Sequence, residues 1–235
     1  MRLHDSWPEP ERRRPPRSMA TWAVRAPLAA WLEEEGRRSA GLRVLDVGCG
    51  PKPYYPFFEP YAAAYVGVDV KDPAAELRGT AEAIPVEDGS FDVVLCTQLL
   101  EHADDPAAVV RELRRVTAPG GRVLASTHGV QVYHPNPDDY WRWTHSGLER
   151  LFRESAAWAS VTVTPGSGTA ACIGMLVNIY VDIALRRARL APLARAFCSS
   201  VNASAAALDA RSRSLREPGH TTLFANLHVV AEVPA

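Results

Sequence analysis

Short, nearly continuous apolar runs constrain this chain more than any other feature. Arg43-Val44-Leu45-Asp46-Val47, Tyr65-Val66-Gly67-Val68-Asp69-Val70, Phe91-Asp92-Val93-Val94-Leu95-Cys96 and Gly121-Arg122-Val123-Leu124-Ala125-Ser126 each read as a strand. Their apolar character suits strands covered on both faces, as in a parallel sheet. Helical stretches fall between them. Residues 19–38 form the first, with Trp22, Leu28, Trp31 and Leu32 as candidate buried positions and Pro27 placed to kink or split it. Asp105 caps a helix that starts at Pro106, and Val109, Val110, Leu113 and Val116 give it an apolar stripe until Pro119-Gly120-Gly121 stops it. Ser146-Gly147-Leu148-Glu149 has capping-box spacing and opens a further helix. Period-2 runs at 160–164 and 223–233 add two strands. Alternation of this kind argues for an α/β fold with a doubly wound sheet and helices on both faces.

The chain has 235 residues, 47% of them hydrophobic and 23% charged, which suits a single domain with trimmings. Residues 1–18 hold five arginines and four prolines and no apolar stretch, so they read as a flexible basic arm rather than a signal peptide. Residues 19–235 read as one domain, with a helical insertion over about 168–216 before the last strand. Seven arginines and one acid, Asp209, lie between 186 and 216. That run is either a solvated helix face or a patch for an anionic lipid or substrate. No run reaches the ~18 apolar residues of a membrane span; the nearest, Cys172 to Leu185, is interrupted by Asn178 and Asp182. A formal net charge of −1 disfavours a general nucleic-acid binder. Cysteines at 49, 96, 172 and 198 have no metal-site or redox-pair spacing, and fit a reducing cytoplasm.

The chemistry concentrates where the first strand ends, in Asp46-Val47-Gly48-Cys49-Gly50. Glycines there let a ligand approach the backbone closely. The second strand carries Asp69, 19 residues after Gly50, where a carboxylate can accept hydrogen bonds from a ribose diol. A dinucleotide fingerprint would need glycine at 53, where Pro53 stands, and Pro51 and Pro53 supply no N–H to a pyrophosphate. The ligand is therefore a nucleoside without a diphosphate, and S-adenosylmethionine is one.

Val44-Leu45-Asp46-Val47-Gly48-Cys49-Gly50 resembles motif I of the class I S-adenosylmethionine-dependent methyltransferases, and Gly67-Val68-Asp69 resembles their motif II. Ala81-Glu82-Ala83-Ile84-Pro85 with Asp88 to Val94, Leu99-Leu100-Glu101-His102 with Asp105-Pro106, and Arg111 to Val116 with Pro119-Gly120-Gly121 resemble the later motifs in order. The resemblance covers residues 40–130. It implies a Rossmann-like, mostly parallel seven-stranded sheet and an S-adenosylmethionine site built from Asp46, Gly48, Cys49, Gly50, Asp69, Val70, Thr80, Ala81, Glu82 and Gln98. Two positions depart from the family pattern. Thr80 stands where the family often has an aspartate for the adenine amino group. Lys52 replaces the third motif I glycine and is placed to meet the cofactor carboxylate.

Methyl transfer from a sulfonium is an in-line displacement and mostly a positioning problem, with a base required only where the nucleophile loses a proton. His102 and His134 are the candidate catalytic residues. Tyr54, His128, Asp139, Tyr140 and Trp141 are candidates to contact a small-molecule acceptor. The tyrosines at 54 and 55 serve equally as packing for the first helix, and the Tyr140-Trp141 run serves equally as an anchor for the next one. No metal site is expected. Two alternatives stand beside a small-molecule methyltransferase: a peripheral membrane methyltransferase with a lipid-linked substrate, and a non-catalytic binding module on the cofactor fold.

Overall fold

The computed structural model describes residues 7–135 and 137–235. Its seven strands are β1 Arg43–Val47, β2 Ala64–Asp69, β3 Leu77–Arg78, β4 Phe91–Thr97, β5 Thr117–His128, β6 Ser160–Pro165 and β7 Asn226–Glu232. They form one sheet in the order β3-β2-β1-β4-β5-β7-β6. The first five pair in parallel, and β7 runs antiparallel to both β5 and β6. The fold is the Rossmann-like one that the motifs implied. The strand that no apolar run marked is β3, a two-residue edge strand.

Alternation along the strands explains the continuous apolar runs. Leu45, Val47, Val94, Cys96, Val123 and Ala125 face one core layer with Leu113, Val116, Leu148 and Phe152. Val44, Val93, Leu95 and Leu124 face the other, with Leu28, Leu32, Phe57 and Phe58. Helices α1 Pro10–Arg13, α2 Trp22–Arg37 and α3 Tyr55–Phe58 come before β2; α4 Pro106–Val116 and α5 His145–Ser155 flank β5. Pro27 leaves α2 as one helix. Leu28 and Leu32 are buried in α2, while Trp22 and Trp31 are only half-buried.

Helix α4 starts as the sequence implied: Asp105 accepts a hydrogen bond from the Ala108 amide at 3.0 Å, with Pro106 in the first turn. Two local expectations change. Thr144, not Ser146, caps α5, because its Oγ1 accepts from the Gly147 amide at 3.0 Å. Pro119-Gly120-Gly121 lies inside β5 rather than before it, where the β4 register shifts between Phe91 and Val93.

Between β6 and β7 lie α6 Thr169–Arg187, α7 Ala191–Arg211 and α8 Arg213–Arg216. Ala171, Cys172, Met175 and Ala205 from this segment pack on Ala23, Val24 and Ala225. Helix α6 is 19 residues long, and among the described residues it alone has the length and hydropathy of a membrane-crossing helix, which revises the reading of its sequence. The expected basic arm also differs. Residues 1–6 lie outside the described residues, but 7–18 pack on the loop after β1. Arg13 is buried and donates to the carbonyls of Trp7 (2.9 Å), Pro8 (2.8 Å) and Pro53 (2.6 Å). Trp7 Nε1 donates to the Lys52 carbonyl at 2.8 Å. These three carbonyls hold the terminal nitrogens of the guanidinium inside the fold.

Candidate active site

A cavity of about 450 Å³ opens at the carboxyl ends of β1, β2, β4 and β5. This is where open α/β sheets place ligands. Gly48, Asp69, Val70, Ala81 and Gln98 line its floor, with Gly79 and Leu99 beside them. Its roof comes from the N-terminal segment, through Arg12, Thr21, Val24 and Arg25, and from the loop after β5, through Gln131, Val132, His134 and Pro137.

The glycine turn spends its own donors. Gly48 and Cys49 both donate to the Val68 carbonyl (2.8 and 3.1 Å), and Lys52 donates to the Cys49 carbonyl (2.9 Å). Gly50 donates to Asp69 Oδ2 at 3.0 Å. Gly48 needs its missing side chain: its φ is +67°, and a Cβ would stand 2.2 Å from Leu99 Cδ1. Asp69 also accepts from the Lys71 and Asp72 amides on Oδ1, each at 2.9 Å. Burial works against ionisation of Asp69, but these three backbone donors outweigh it and hold the carboxyl below its usual range.

Gln98 ends β4 in a left-handed conformation, with φ +53°. Its Nε2 donates to Ser126 Oγ (3.1 Å) and Asn226 Oδ1 (3.0 Å), so its amide ties β4 to β5 and β7 beneath the cavity.

At the far end His102, His128 and His134 line the cavity, and so does Glu101, which the sequence reading passed over. The Glu101 side chain is fully buried and accepts from Thr127 Oγ1 at 2.8 Å. Its Oε1 lies 3.3 Å from His128 Nδ1, outside hydrogen-bond alignment. Burial pushes the Glu101 carboxyl up and the His128 imidazole down, the latter to about 3, helped by the nearby Arg142 and Arg25 charges. His128 is therefore neutral at physiological pH. His102 Nδ1 meets the Asp138 carbonyl, and its ring lies 6.0 Å from that of His134. Arg25 borders the cavity with its Nη1 buried and, among the described residues, without a hydrogen-bond partner.

Other sequence candidates lie elsewhere. Asp46 and Cys49 sit beneath the turn: Tyr65 donates to Asp46 at 2.6 Å, and burial raises the Asp46 carboxyl to about 7. Lys52 is buried against Glu76, away from the cavity. Gly50, Thr80 and Glu82 do not line the cavity; Thr80 forms a bridge with Ala83 instead. Tyr54 belongs to the core with Phe57 and Phe58, so it is packing rather than a substrate contact. Asp139 is spent on Arg142 (2.5 and 2.6 Å) and on the His134 amide (2.7 Å), which staples the loop after β5 and lowers its pKa to about 2. Trp141 donates to the Ala103 carbonyl at 2.8 Å and stacks on Trp143, outside the cavity, and Tyr140 is exposed there too. Asp139 and Trp141 thus anchor the loop, because Arg142 and the Ala103 carbonyl take the groups that a substrate would need.

Residues 45–125 match the family model described as "Methyltransferase domain". A curated relative, the ubiquinone biosynthesis O-methyltransferase of Bordetella bronchiseptica, is 36% identical over 113 residues, 41% of this chain and 47% of that protein. The protein of the same name in Acinetobacter baumannii is 33% identical over 127 residues, 47% of this chain and 52% of that protein. The chain thus spans about half the length of these relatives. Among solved structures, phosphoethanolamine N-methyltransferase 2 of Haemonchus contortus with S-adenosyl-L-methionine aligns at a TM-score of 0.56 and 15% identity, over 90% of this chain and 53% of that one. The [4+2]-cyclase SpnF aligns at 0.54 and 16%, over 88% and 81%. At such identities these structures share the fold alone. Residues 45–125 are thus a methyltransferase domain, and the sheet order and the glycine turn with its facing aspartate are those that the resemblance to the class I S-adenosylmethionine-dependent methyltransferases implied.

Proposed function

We propose that the chain binds S-adenosylmethionine in the 450 Å³ cavity and transfers its methyl group to a hydroxyl of a small-molecule acceptor. One observation carries the cofactor assignment. Every N–H of the turn from Gly48 to Lys52 is already bonded within the protein, and Pro51 and Pro53 have none. A pyrophosphate binds to free backbone donors, so a dinucleotide has no cradle here, whereas a nucleoside sulfonium needs none. In this reading Asp69 takes the ribose, Ala81 packs on the adenine ring, and Arg25, through its Nη1, takes the carboxylate of the amino-acid end.

The acceptor is assigned to the end where Glu101 and His128 face the cavity. Methylating a hydroxyl releases a proton, and the buried Glu101–His128 pair can take it as the oxygen attacks the methyl carbon and the C–S bond breaks. The two side chains lie 3.3 Å apart, and burial, which raises the Glu101 carboxyl and lowers the His128 imidazole, favours the proton on the carboxyl side of the pair. The curated relatives are named as O-methyltransferases, which supports oxygen as the atom methylated. Four free, buried cysteines suit a reducing compartment, and we place the reaction in the cytoplasm.

Calorimetric titration with S-adenosylhomocysteine, with NADH in a parallel run, tests the cofactor. Micromolar binding of the first and none of the second is expected; the reverse order of affinity removes the assignment. Transfer of labelled methyl groups to a panel of phenols, amines and carbon acids then tests the acceptor class, and methylation confined to amines refutes the oxygen reading.

A further inference from the structure

Helices α6 and α7 form a hairpin whose two ends differ in build. At the base, the Asp209 carboxylate accepts from the Ala170 and Ala171 amides, each at 3.0 Å. Asn178 donates to Asn202 Oδ1 at 2.9 Å, and Asn202 donates to the carbonyls of Arg17 (2.7 Å) and Met19 (3.0 Å). Beyond Asn178, no residue of α6 is buried. Tyr180, Ile183, Leu190 and Leu193 are 66, 43, 46 and 54% exposed there. Ile173 and Val177, also exposed, continue the stripe along the face of Tyr180 at helical spacing.

The unpaired charges around this apolar end have one sign. Arg187, Arg189 and Arg195 are exposed, and among the described residues none has a carboxylate within ion-pair distance. The two acids of the hairpin are already engaged, Asp182 by Arg186 at 2.7 Å and Asp209 by the amides of α6.

We propose that the distal end of this hairpin docks on an anionic lipid bilayer surface. Exposed branched and aromatic side chains enter the boundary between headgroups and acyl chains, and unpaired arginines stay among anionic headgroups. A second copy fits less well, since a two-fold contact sets the patch against itself and brings arginines onto arginines. This inference stands apart from the methyl-transfer reading, because the tip contributes no residue to the cavity.

Co-sedimentation of the full chain with phosphatidylcholine vesicles, and with vesicles of phosphatidylcholine mixed with phosphatidylglycerol, is the test. Binding to the anionic vesicles alone, released by high salt, is expected. Arg187→Gln/Arg189→Gln/Arg195→Gln is expected to weaken it at least about tenfold, and Ile183→Ser/Leu193→Ser by about as much. Both variants alter exposed positions, so unchanged melting curves check their folding. Absence of binding at low salt, or binding that neither variant weakens, overturns the proposal. Protein that resists salt and alkaline washing overturns it in favour of a spanning helix. Self-association in lipid-free solution that Ile183→Ser/Leu193→Ser abolishes overturns it in favour of a second copy. S-adenosylhomocysteine binding by the same preparations keeps either result separate from the cofactor assignment.

Discussion

Replacing Asp69 with alanine isolates the grip on the ribose, and the hydrogen-bond count sets its size. A carboxylate offers about four lone-pair sites. Oδ1 already accepts from Lys71 and Asp72, and Oδ2 from Gly50. One site on Oδ2 is left for a ribose hydroxyl. A hydrogen bond to a charged acceptor contributes about 1.5–3 kcal/mol, which converts to roughly a 10- to 150-fold loss of affinity. The same change frees three backbone amides. Asp69 is only partly buried, so water replaces much of what they lose, and a cost of about 1–2 kcal/mol follows, or a melting point lower by roughly 2–8 °C for a domain of this size. Calorimetry with S-adenosylhomocysteine and a thermal melt measure both quantities on one preparation. A well-folded Asp69→Ala chain with undiminished affinity refutes the placement of the ribose. A loss far beyond a thousandfold refutes the one-site count, since it requires that the ligand displace an amide and grip both oxygens.

Glu101→Gln keeps a partner for Thr127 but removes the charge facing His128; methyl transfer should slow by about a hundredfold in single-turnover assays while S-adenosylhomocysteine affinity holds. His228 stacks on Trp31 at 4.6 Å, and burial lowers its pKa from 6.5 to about 4. Above pH 6.5 both folded and unfolded chains leave it neutral. As pH falls from there toward 4, only the unfolded chain takes the proton, and stability drops by about 1.4 kcal/mol per pH unit, roughly 3 kcal/mol in all. His228→Phe preserves the stack and should flatten that part of the acid limb in urea titrations; parallel limbs would count against it. Asp209→Ala leaves two amides at the start of α6 unpaired in a buried corner and should cost about 2–4 kcal/mol, seen by calorimetric melting.

Much of the fold was legible because strands buried on both faces cannot hide their apolar runs, and Asp105-Pro106 marks a helix start by local chemistry alone. β3 was not, since two residues carry no periodicity. The floor of the cavity was readable for a related reason: Gly48 and Asp69 stand at strand ends, where a backbone constraint shows in residue type. The roof was not. Arg12 and Arg25 come from a segment whose docking depends on Arg13 finding main-chain carbonyls, and carbonyls leave no trace in side-chain pattern. Asp139 and Trp141 show the converse. A carboxylate and an indole serve a pocket wall and a loop staple equally well, and the partners that decide between them, Arg142 and the Ala103 carbonyl, are set by tertiary structure. Glu101 was passed over beside His102, although burial gave the glutamate the more constrained position.

The place of β7 has a consequence in time. Among the described residues β6 pairs only with β7, and β7 separates it from β5. A chain emerging from the ribosome delivers β6 about sixty residues before β7, a wait of roughly 3–12 s at ordinary elongation rates. During that wait β5 is an open sheet edge, and Val161 and Val163 have no sheet to join. The parallel core and its glycine turn can assemble in the interval, but Gln98 still lacks Asn226. The floor of the cavity is therefore finished last, by a strand that arrives after all the catalytic candidates.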